Sequence, residues 1–373
     1  MSARRTVVLA AGGTGGHVFP ALAAAEALAA RGVRVVMATD RRGRRFEGDV
    51  ETATVAAANL SGGPLAKLKG LAKIALGVLQ ATSLLRRTRA DVVVGFGGFP
   101  SLPTMLAAFL LGRPTVLHEQ NAVLGRVNRR IAGRVGPIAT AFPKVVGVPA
   151  DQGRFVGNPV RPAIAAVGAA DYLPPADDGP VNLLIFGGSQ GARVLSDVTP
   201  AAIAGLSESL RRRVRVVQQS RPEDLERVAA AYAEAGIEAD LKTFFDDMPA
   251  RLAAAHLVVA RAGASTVAEL AVAGRPALLI PFAAAMDDHQ TANAEALVAA
   301  GAAWRMSEAE ATPESVAARL ETALGDGEGL VAAARAARGV ARPEAAAALA
   351  DLIESVVSGA EQSARTVLRG LAA

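Results

Sequence analysis

The chain has 373 residues, of which 51% are hydrophobic and 4% aromatic, with 40 Lys and Arg against 35 Asp and Glu and no cysteine. That length exceeds one ordinary domain and predicts two. The lack of cysteine excludes disulfides, thiolate zinc sites and a cysteine nucleophile. The net charge of +5 points to an anionic partner: nucleic acid, anionic lipid or a phosphorylated substrate. Aromatics are too scarce for a base-stacking platform, which weighs against nucleic acid. No long uncharged apolar run is expected to span a bilayer, and Met1 to Arg5 leads into a strand rather than a signal peptide.

In chain order, Thr6–Leu9 reads as a buried strand, followed by Gly12-Gly13-Thr14-Gly15-Gly16-His17-Val18-Phe19-Pro20 and a helix over Ala21–Ala30. Glycines between a strand and a helix N-terminus let the backbone turn sharply and present N–H groups to an anion. Gly32 stops the helix, and Val33–Ala38 forms the second strand. Asp40, followed by Arg41-Arg42, stands where a dinucleotide-binding fold places a ribose-binding acid and a 2′-phosphate site. The glycine spacing opposes that NADP-dependent alternative, since the third glycine of the fingerprint would fall on Val18. Asp40 is therefore expected to be a turn residue.

Residues 65 to 89 carry Leu65, Leu68, Leu71, Ile74, Leu76 and Leu79 near helical spacing, interleaved with Lys67, Lys69, Lys73, Arg86, Arg87 and Arg89. Such a helix either packs its apolar face on the sheet or lies on an anionic membrane surface. A second unit follows: strand Asp91–Val94, glycine loop Gly95 to Ser101, and a helix from about Pro103 to Leu111. Strand Pro114–Leu117 then delivers His118-Glu119-Gln120-Asn121 to its carboxyl end, where open parallel sheets bind ligands. The plain alternative there is a core histidine at 118 and helix capping by Asn121.

The opening pattern returns in the second half. Strand Val181–Phe186 enters the loop Gly187-Gly188-Ser189-Gln190-Gly191-Ala192 and then a helix. Further strands are expected at Val214–Val217, Leu257–Val259 and Ala277–Ile280. Arg261 to Thr266 forms another anion cradle at a helix start, with Glu269 one turn inside and able to accept from sugar hydroxyls. Asp287 to Asn293 gathers polar groups at the next junction.

Seven stretches in this order, Gly12–Pro20, Gly95–Pro100, His118–Asn121, Gly157–Arg161, Gly187–Ala192, Arg261–Glu269 and Asp287–Asn293, span nearly the whole chain. In them the chain resembles the MurG family, bacterial N-acetylglucosamine (GlcNAc) transferases of the GT-B type that convert lipid I to lipid II. The resemblance implies an α/β fold of two Rossmann-like domains with parallel sheets facing across a cleft. Residues 1–158 would form the acceptor- and membrane-associating domain, 159–340 the UDP-GlcNAc domain, and 341–373 a helix returning to the first. It further implies that Ser189 contacts the diphosphate and Arg161 lies beside the nucleotide. Ala264, Ser265, Thr266, Val267, Ala268 and Glu269 would cover phosphate and ribose, Gln290 the GlcNAc hydroxyls, and Phe245 the uracil through its backbone. Thr14, Gly15, Gly16 and Asn121 would approach the sugar from the other domain. His289 departs from the family's usual glutamine, and the patch at 65–89 lacks the family's large aromatics.

The sequence contains no Asp-x-Asp pair of the kind that holds a divalent ion on a diphosphate. Helix N-termini and Arg161 are expected to stabilise the leaving UDP, with neither metal nor cofactor. The resemblance implies inversion, hence one displacement by the acceptor 4-hydroxyl. The base that takes its proton is expected from the N-terminal half, either His17, whose intrinsic pKa suits neutral pH, or Glu119. The partners so implied are UDP-GlcNAc, lipid I, an anionic membrane surface and other cell-wall synthesis proteins, at the cytoplasmic face of the bacterial inner membrane.

Overall fold

The computed structural model describes residues 4–41, 50–59 and 62–371. Arg42, half of the expected 2′-phosphate pair, lies outside them. The chain divides into unit 1, Met1–Arg161 with Glu344–Ala373, and unit 2, Pro162–Pro343. The divisions fall three residues beyond those expected from the sequence. Asn158 and Val160 are buried, and the Arg161 guanidinium lies 5.1 Å from the Phe19 ring centroid, which ties this stretch to unit 1.

Unit 1 contains β1 (Thr6–Ala10), α1 (Gly15–Ala30), β2 (Arg34–Thr39), β3 (Glu51–Thr54), α2 (Pro64–Thr88), β4 (Val92–Gly95), α3 (Gly98–Leu110), β5 (Thr115–Glu119), α4 (Arg126–Ile131), β6 (Ile138–Thr140) and β7 (Gly153–Phe155). The described strands form one parallel sheet in the order β3-β2-β1-β4-β5-β6-β7. Strand order reverses between β1 and β4, so the loops after these two strands flank the crevice where such sheets bind ligands. Strands of Val, Leu and Ala are buried on both faces, as a sheet covered by helices on either side requires. The third helix begins at Gly98, five residues before the expected start, because Gly97 and Gly98 turn the chain with φ of 82° and 71°.

Unit 2 repeats the plan with α5 (Pro162–Gly168), β8 (Val181–Phe186), α6 (Arg193–Ala204), α7 (Glu208–Arg211), β9 (Val214–Gln219), α8 (Leu225–Glu234), β10 (Glu238–Lys242), α9 (Met248–Ala254), β11 (Leu257–Ala260), α10 (Ala264–Ala273), β12 (Ala277–Leu279), α11 (His289–Val298), β13 (Ala303–Arg305), α12 (Pro313–Leu324) and α13 (Gly327–Val340). Its sheet runs β10-β9-β8-β11-β12-β13, all parallel, with the reversal between β8 and β11. Both units thus carry the doubly wound sheet of a GT-B chain.

The last helix, α14 (Ala345–Leu371), belongs to unit 1. Ala345, Leu349, Ile353 and Val357 recur every four residues and are buried, three of them in one core with Ala21, Ala24, Ala25 and Leu28 of α1. The alanines of α1 let the two helices approach closely. Arg31 reinforces the contact through Asp351 at 2.6 Å and Glu354 at 2.8 Å.

The leucines of α2 do not pack as one face of the periodicity would have it. Its buried residues are Gly70, Ile74, Gly77, Ala81, Leu84, Leu85 and Thr88, whereas Leu65, Leu68, Leu71, Leu76 and Leu79 are exposed. A Cβ on Gly77 would stand 1.9 Å from the Ala56 carbonyl oxygen, so only glycine admits this approach. Among the described residues α2 is also the helix long and apolar enough to cross a membrane, by length and composition alone, which the sequence did not lead us to expect.

Candidate functional site

In unit 1 the loop after β1 is tied from beneath. Asp40 does not stand ready for a ribose: its Oδ1 accepts the Gly13 N–H at 2.9 Å. A Cβ on Gly12 would lie 2.8 Å from both that oxygen and Pro100 Cβ. His17, in the first turn of α1, places Nδ1 2.8 Å from the Phe96 carbonyl oxygen at the end of β4. A carbonyl only accepts, so Nδ1 carries the proton and Nε2 is left as the basic nitrogen of the neutral ring. Nε2 faces Gly98, where a Cβ would come within 3.3 Å of it. Gln120 Nε2 donates to the same Phe96 oxygen at 2.7 Å. The reversal of strand order brings these groups together. The sequence places Phe96 and Gln120 in the stretches after β4 and β5 but assigns neither a role, because those roles depend on one backbone oxygen.

His118 is fully buried, its Nε2 3.2 Å from the Gly157 carbonyl and its ring 5.3 Å from that of Phe96. Burial pushes its pKa down to about 4, against a smaller rise from the Gly157 contact and a lowering by His17. It is a neutral core histidine at neutral pH.

Glu119 departs from the expected role of base. Only 2% exposed, its carboxylate accepts four hydrogen bonds, from Asn121 N and Nδ2 on Oε1 and from Gly125 N and Asn128 Nδ2 on Oε2, all between 2.8 and 3.2 Å. A carboxylate so occupied holds the β5–α4 loop and presents no oxygen to an acceptor hydroxyl. It fixes the Asn121 amide with its Nδ2 as donor toward Glu119. Asn121 caps no helix; the N-cap of α4 is Gly125. Thr14 is the N-cap of α1, and Gly15 and Gly16 are its first two residues, with no acid in that turn.

In unit 2 the Gly187–Ala192 loop, with Ser189 in it, is anchored by a neutral amide. Gly187 N donates to Gln219 Oε1 at 3.1 Å, and Gln219 Nε2 donates to the Thr243 carbonyl at 3.1 Å. A Cβ on Gly187 would meet the Ala192 backbone nitrogen at 2.3 Å. The next cradle is α10, whose N-cap is Gly263 and whose first turn includes Ala264, Ser265, Thr266 and Val267. Ser265 Oγ is buried with no hydrogen-bond partner, an open valence at a helix start. Ala268 and the buried Glu269 follow on the same helix.

Arg261, expected within that anion cradle, is committed elsewhere. Its guanidinium donates to the carbonyls of Ile280 and Pro281 and to Glu308 Oε1 at 2.6 Å, while Glu308 Oε2 accepts the Ala283 N–H. Burial would raise the Glu308 pKa, but these hydrogen bonds outweigh it and hold the carboxyl below its ordinary range. Gln290 Oε1 accepts from Ala262 N and Phe282 N at 3.2 and 3.0 Å, joining the ends of β11 and β12. Both partners are donors, so the orientation of the Gln290 amide is fixed and its NH2 is left for a ligand. Phe245 is buried, with the Arg251 guanidinium 4.2 Å from its ring centroid. His289 Nδ1 is 2.7 Å from the Met286 carbonyl. Among the described residues no group of three or more His, Asp or Glu side chains gathers as metal ligands would.

Comparisons with known proteins bear on the family and the fold. Residues 7–139 match the glycosyltransferase family 28 N-terminal domain, and residues 182–354 the family 28 C-terminal domain. The chain is 52% identical over 358 residues to the UDP-N-acetylglucosamine–N-acetylmuramyl-(pentapeptide) pyrophosphoryl-undecaprenol N-acetylglucosamine transferase of Paramagnetospirillum magneticum, covering 94% of this chain and 96% of the relative. It is 50% identical over 353 residues to the enzyme of that name from Rhodospirillum rubrum, covering 94% and 91%. The crystal structure of Acinetobacter baumannii MurG superposes with a TM-score of 0.75 at 32% identity, over 94% of this chain and 99% of that one. A kitacinnamycin glycosyltransferase, at 19% identity and a TM-score of 0.68, shares the fold. The chain therefore belongs to the family 28 glycosyltransferases, and within them to the pyrophosphoryl-undecaprenol N-acetylglucosamine transferases.

Proposed function

We infer that the chain transfers GlcNAc from UDP-GlcNAc to the 4-hydroxyl of the MurNAc of undecaprenyl-diphosphate-MurNAc-pentapeptide, with inversion, giving lipid II. The acceptor oxygen attacks the anomeric carbon as the bond to UDP breaks, and no enzyme-bound sugar forms. Ser189 and the N-termini of α6 and α10 receive the diphosphate, where unpaired N–H groups and the helix dipole oppose the charge that develops. Glu269 accepts from the ribose hydroxyls, Gln290 donates to the sugar, and Arg161 adds a charge-assisted contact to the nucleotide. Thr14, Gly15, Gly16 and Asn121 are further sugar-binding residues in this proposal.

The observation that carries the chemistry is the His17–Phe96 contact. It supports His17 Nε2 as base, since the Phe96 oxygen fixes the tautomer and stabilises the imidazolium as it forms. Glu119 acts through Asn121 and is a positioning residue. The test is His17→Ala, assayed with both substrates saturating alongside calorimetry of UDP-GlcNAc. Turnover is expected to fall by about 10²- to 10⁴-fold with donor affinity unchanged. Near-normal turnover with the original pH profile would remove His17 from the reaction.

The enzyme works at the cytoplasmic face of the inner membrane as a peripheral protein in this proposal. Supporting it, the exposed Leu65, Leu68, Leu71, Leu76 and Leu79 of α2 stand beside exposed Lys67, Lys69 and Lys73. An apolar groove of about 680 Å³ lined by Ala75, Leu79, Leu106, Phe109, Leu110 and Arg134 adjoins them. Exposed apolar surface ringed by cations suits an anionic bilayer. Co-sedimentation with anionic vesicles should drop when the three lysines become glutamate and when salt is raised; indifference to both would leave α2 a plain crossover helix.

A further inference from the structure

A cation beside the unit 2 glycine loop has no role in the scheme above. Arg221 follows the carboxyl end of β9, the strand next to β8, and so stands at the ligand edge of the sheet beside Gly187–Ala192. A Cβ on Gly191 would come within 3.0 Å of Arg221 Cγ and 3.7 Å of Arg221 N, so the arginine stem lies against the loop. Gly191 has a φ of 66°, and a side chain there would be strained as well as crowded.

The guanidinium is not spent on the fold. Its Nε is buried and has no hydrogen-bond partner. The nearest acid along the chain with a described ion pair, Asp224, is engaged by Arg227 at 3.0 Å. The buried arginines near strand ends are bonded, Arg261 to Glu308 and Arg275 to the Leu252 and Ala253 carbonyls. The partly buried Arg221 shares an Nε without a hydrogen bond with Arg113, Arg161 and Arg338, and is the one of these four that lies against the Gly187–Ala192 loop. Removing a guanidinium nitrogen from water without a partner is unfavourable, and an anion arriving at the loop would supply the missing acceptor.

We propose that Arg221 is a second anion-binding arm of the donor site, reaching over Gly191 to the pyrophosphate of the nucleotide sugar. This rests on the assignment of the Gly187–Ala192 loop to the donor diphosphate. Arg221 binds the group that carries the charge as the glycosidic bond breaks, so it assists departure of UDP as well as its capture.

The test is calorimetry of UDP, UMP and uridine on the full chain with Arg221→Gln, Arg221→Lys and, as a charge control, Arg212→Gln at the C-cap of α7. UDP affinity should fall about 10- to 100-fold in Arg221→Gln, be partly kept in Arg221→Lys, and be unaffected in Arg212→Gln. Uridine affinity should be unchanged throughout, and the salt dependence of UDP binding should flatten in Arg221→Gln. UDP affinity equal to that of the unaltered chain, or an equal loss for uridine, would overturn the proposal. An unaltered chain that binds no UDP would overturn the donor assignment, and with it this role; that result is read before any variant is made.

Discussion

The glycine loops after β1 and β8 share one plan of strand, tight turn and helix start, yet their surroundings differ in charge. In unit 1 a carboxylate, Asp40, accepts the Gly13 N–H and places a negative group against the turn. In unit 2 the corresponding anchor is the neutral amide of Gln219, and the nearby cation is Arg221. A helix N-terminus favours anions in both, but a resident carboxylate offsets that field in one of them. In the proposed function, similar backbone motifs therefore serve different ends: the loop of unit 1 holds His17 against the Phe96 oxygen, and that of unit 2 takes the diphosphate.

The strongest test of the contrast is steric. Gly187→Ala forces a Cβ toward the Ala192 nitrogen, a backbone atom that cannot step aside, whereas Gly12→Ala meets the side chains of Asp40, Thr39 and Pro100. UDP affinity should fall on the order of 100-fold in Gly187→Ala, since a displacement near 1 Å misplaces every donor in the loop. Gly12→Ala should leave UDP affinity intact and lower turnover. Equal UDP losses in the two variants would abolish the distinction.

A second test concerns protons behind the unit 1 loop. The pKa of His118 is about 4 in the folded chain against 6.5 when unperturbed, so the unfolded chain binds the extra proton between those values. Stability then falls as pH drops from about 6.5 to 4, by on the order of 3 kcal/mol. Urea unfolding at several pH values should show this slope, and His118→Phe should remove most of it. A slope unchanged in that variant would place the acid sensitivity elsewhere.

The smallest effect sharpens the charge difference itself. Asp40→Asn keeps an acceptor for Gly13 N–H and should change stability by less than about 0.5 kcal/mol, whereas Asp40→Ala should cost about 1–2 kcal/mol. Equal losses in urea unfolding would mean that the charge of Asp40, rather than its hydrogen bond, holds the loop.

Much of this architecture is legible in the residues alone. The runs Thr6–Leu9, Val181–Phe186 and Leu257–Val259 are mostly Val, Leu and Ile, and each leads within a few residues to a glycine, so local propensity and burial agree on buried parallel strands. The edge strands β3, β7 and β10 escaped notice because Glu51–Thr54, Gly153–Phe155 and Glu238–Lys242 are part polar and take their conformation from the neighbouring strand. Periodicity marked α2 and left open whether its leucines pack on the sheet; the packed side escaped notice, since glycine and alanine give little hydrophobic signal while permitting the closest approach.

The sequence by itself determined two doubly wound units, their glycine loops and the set of polar groups at strand ends, because these follow from short-range pattern and chirality. Tertiary structure alone decided what each polar group does. Glu119 and Arg261 have the composition of site residues, yet packing surrounds one with four donors and pairs the other with Glu308. His17 gained its orientation from an oxygen 79 positions away, and Arg221 its place from the pairing of β9 with β8. Hydrogen bonding acts over about 3 Å in space and is blind to distance along the chain.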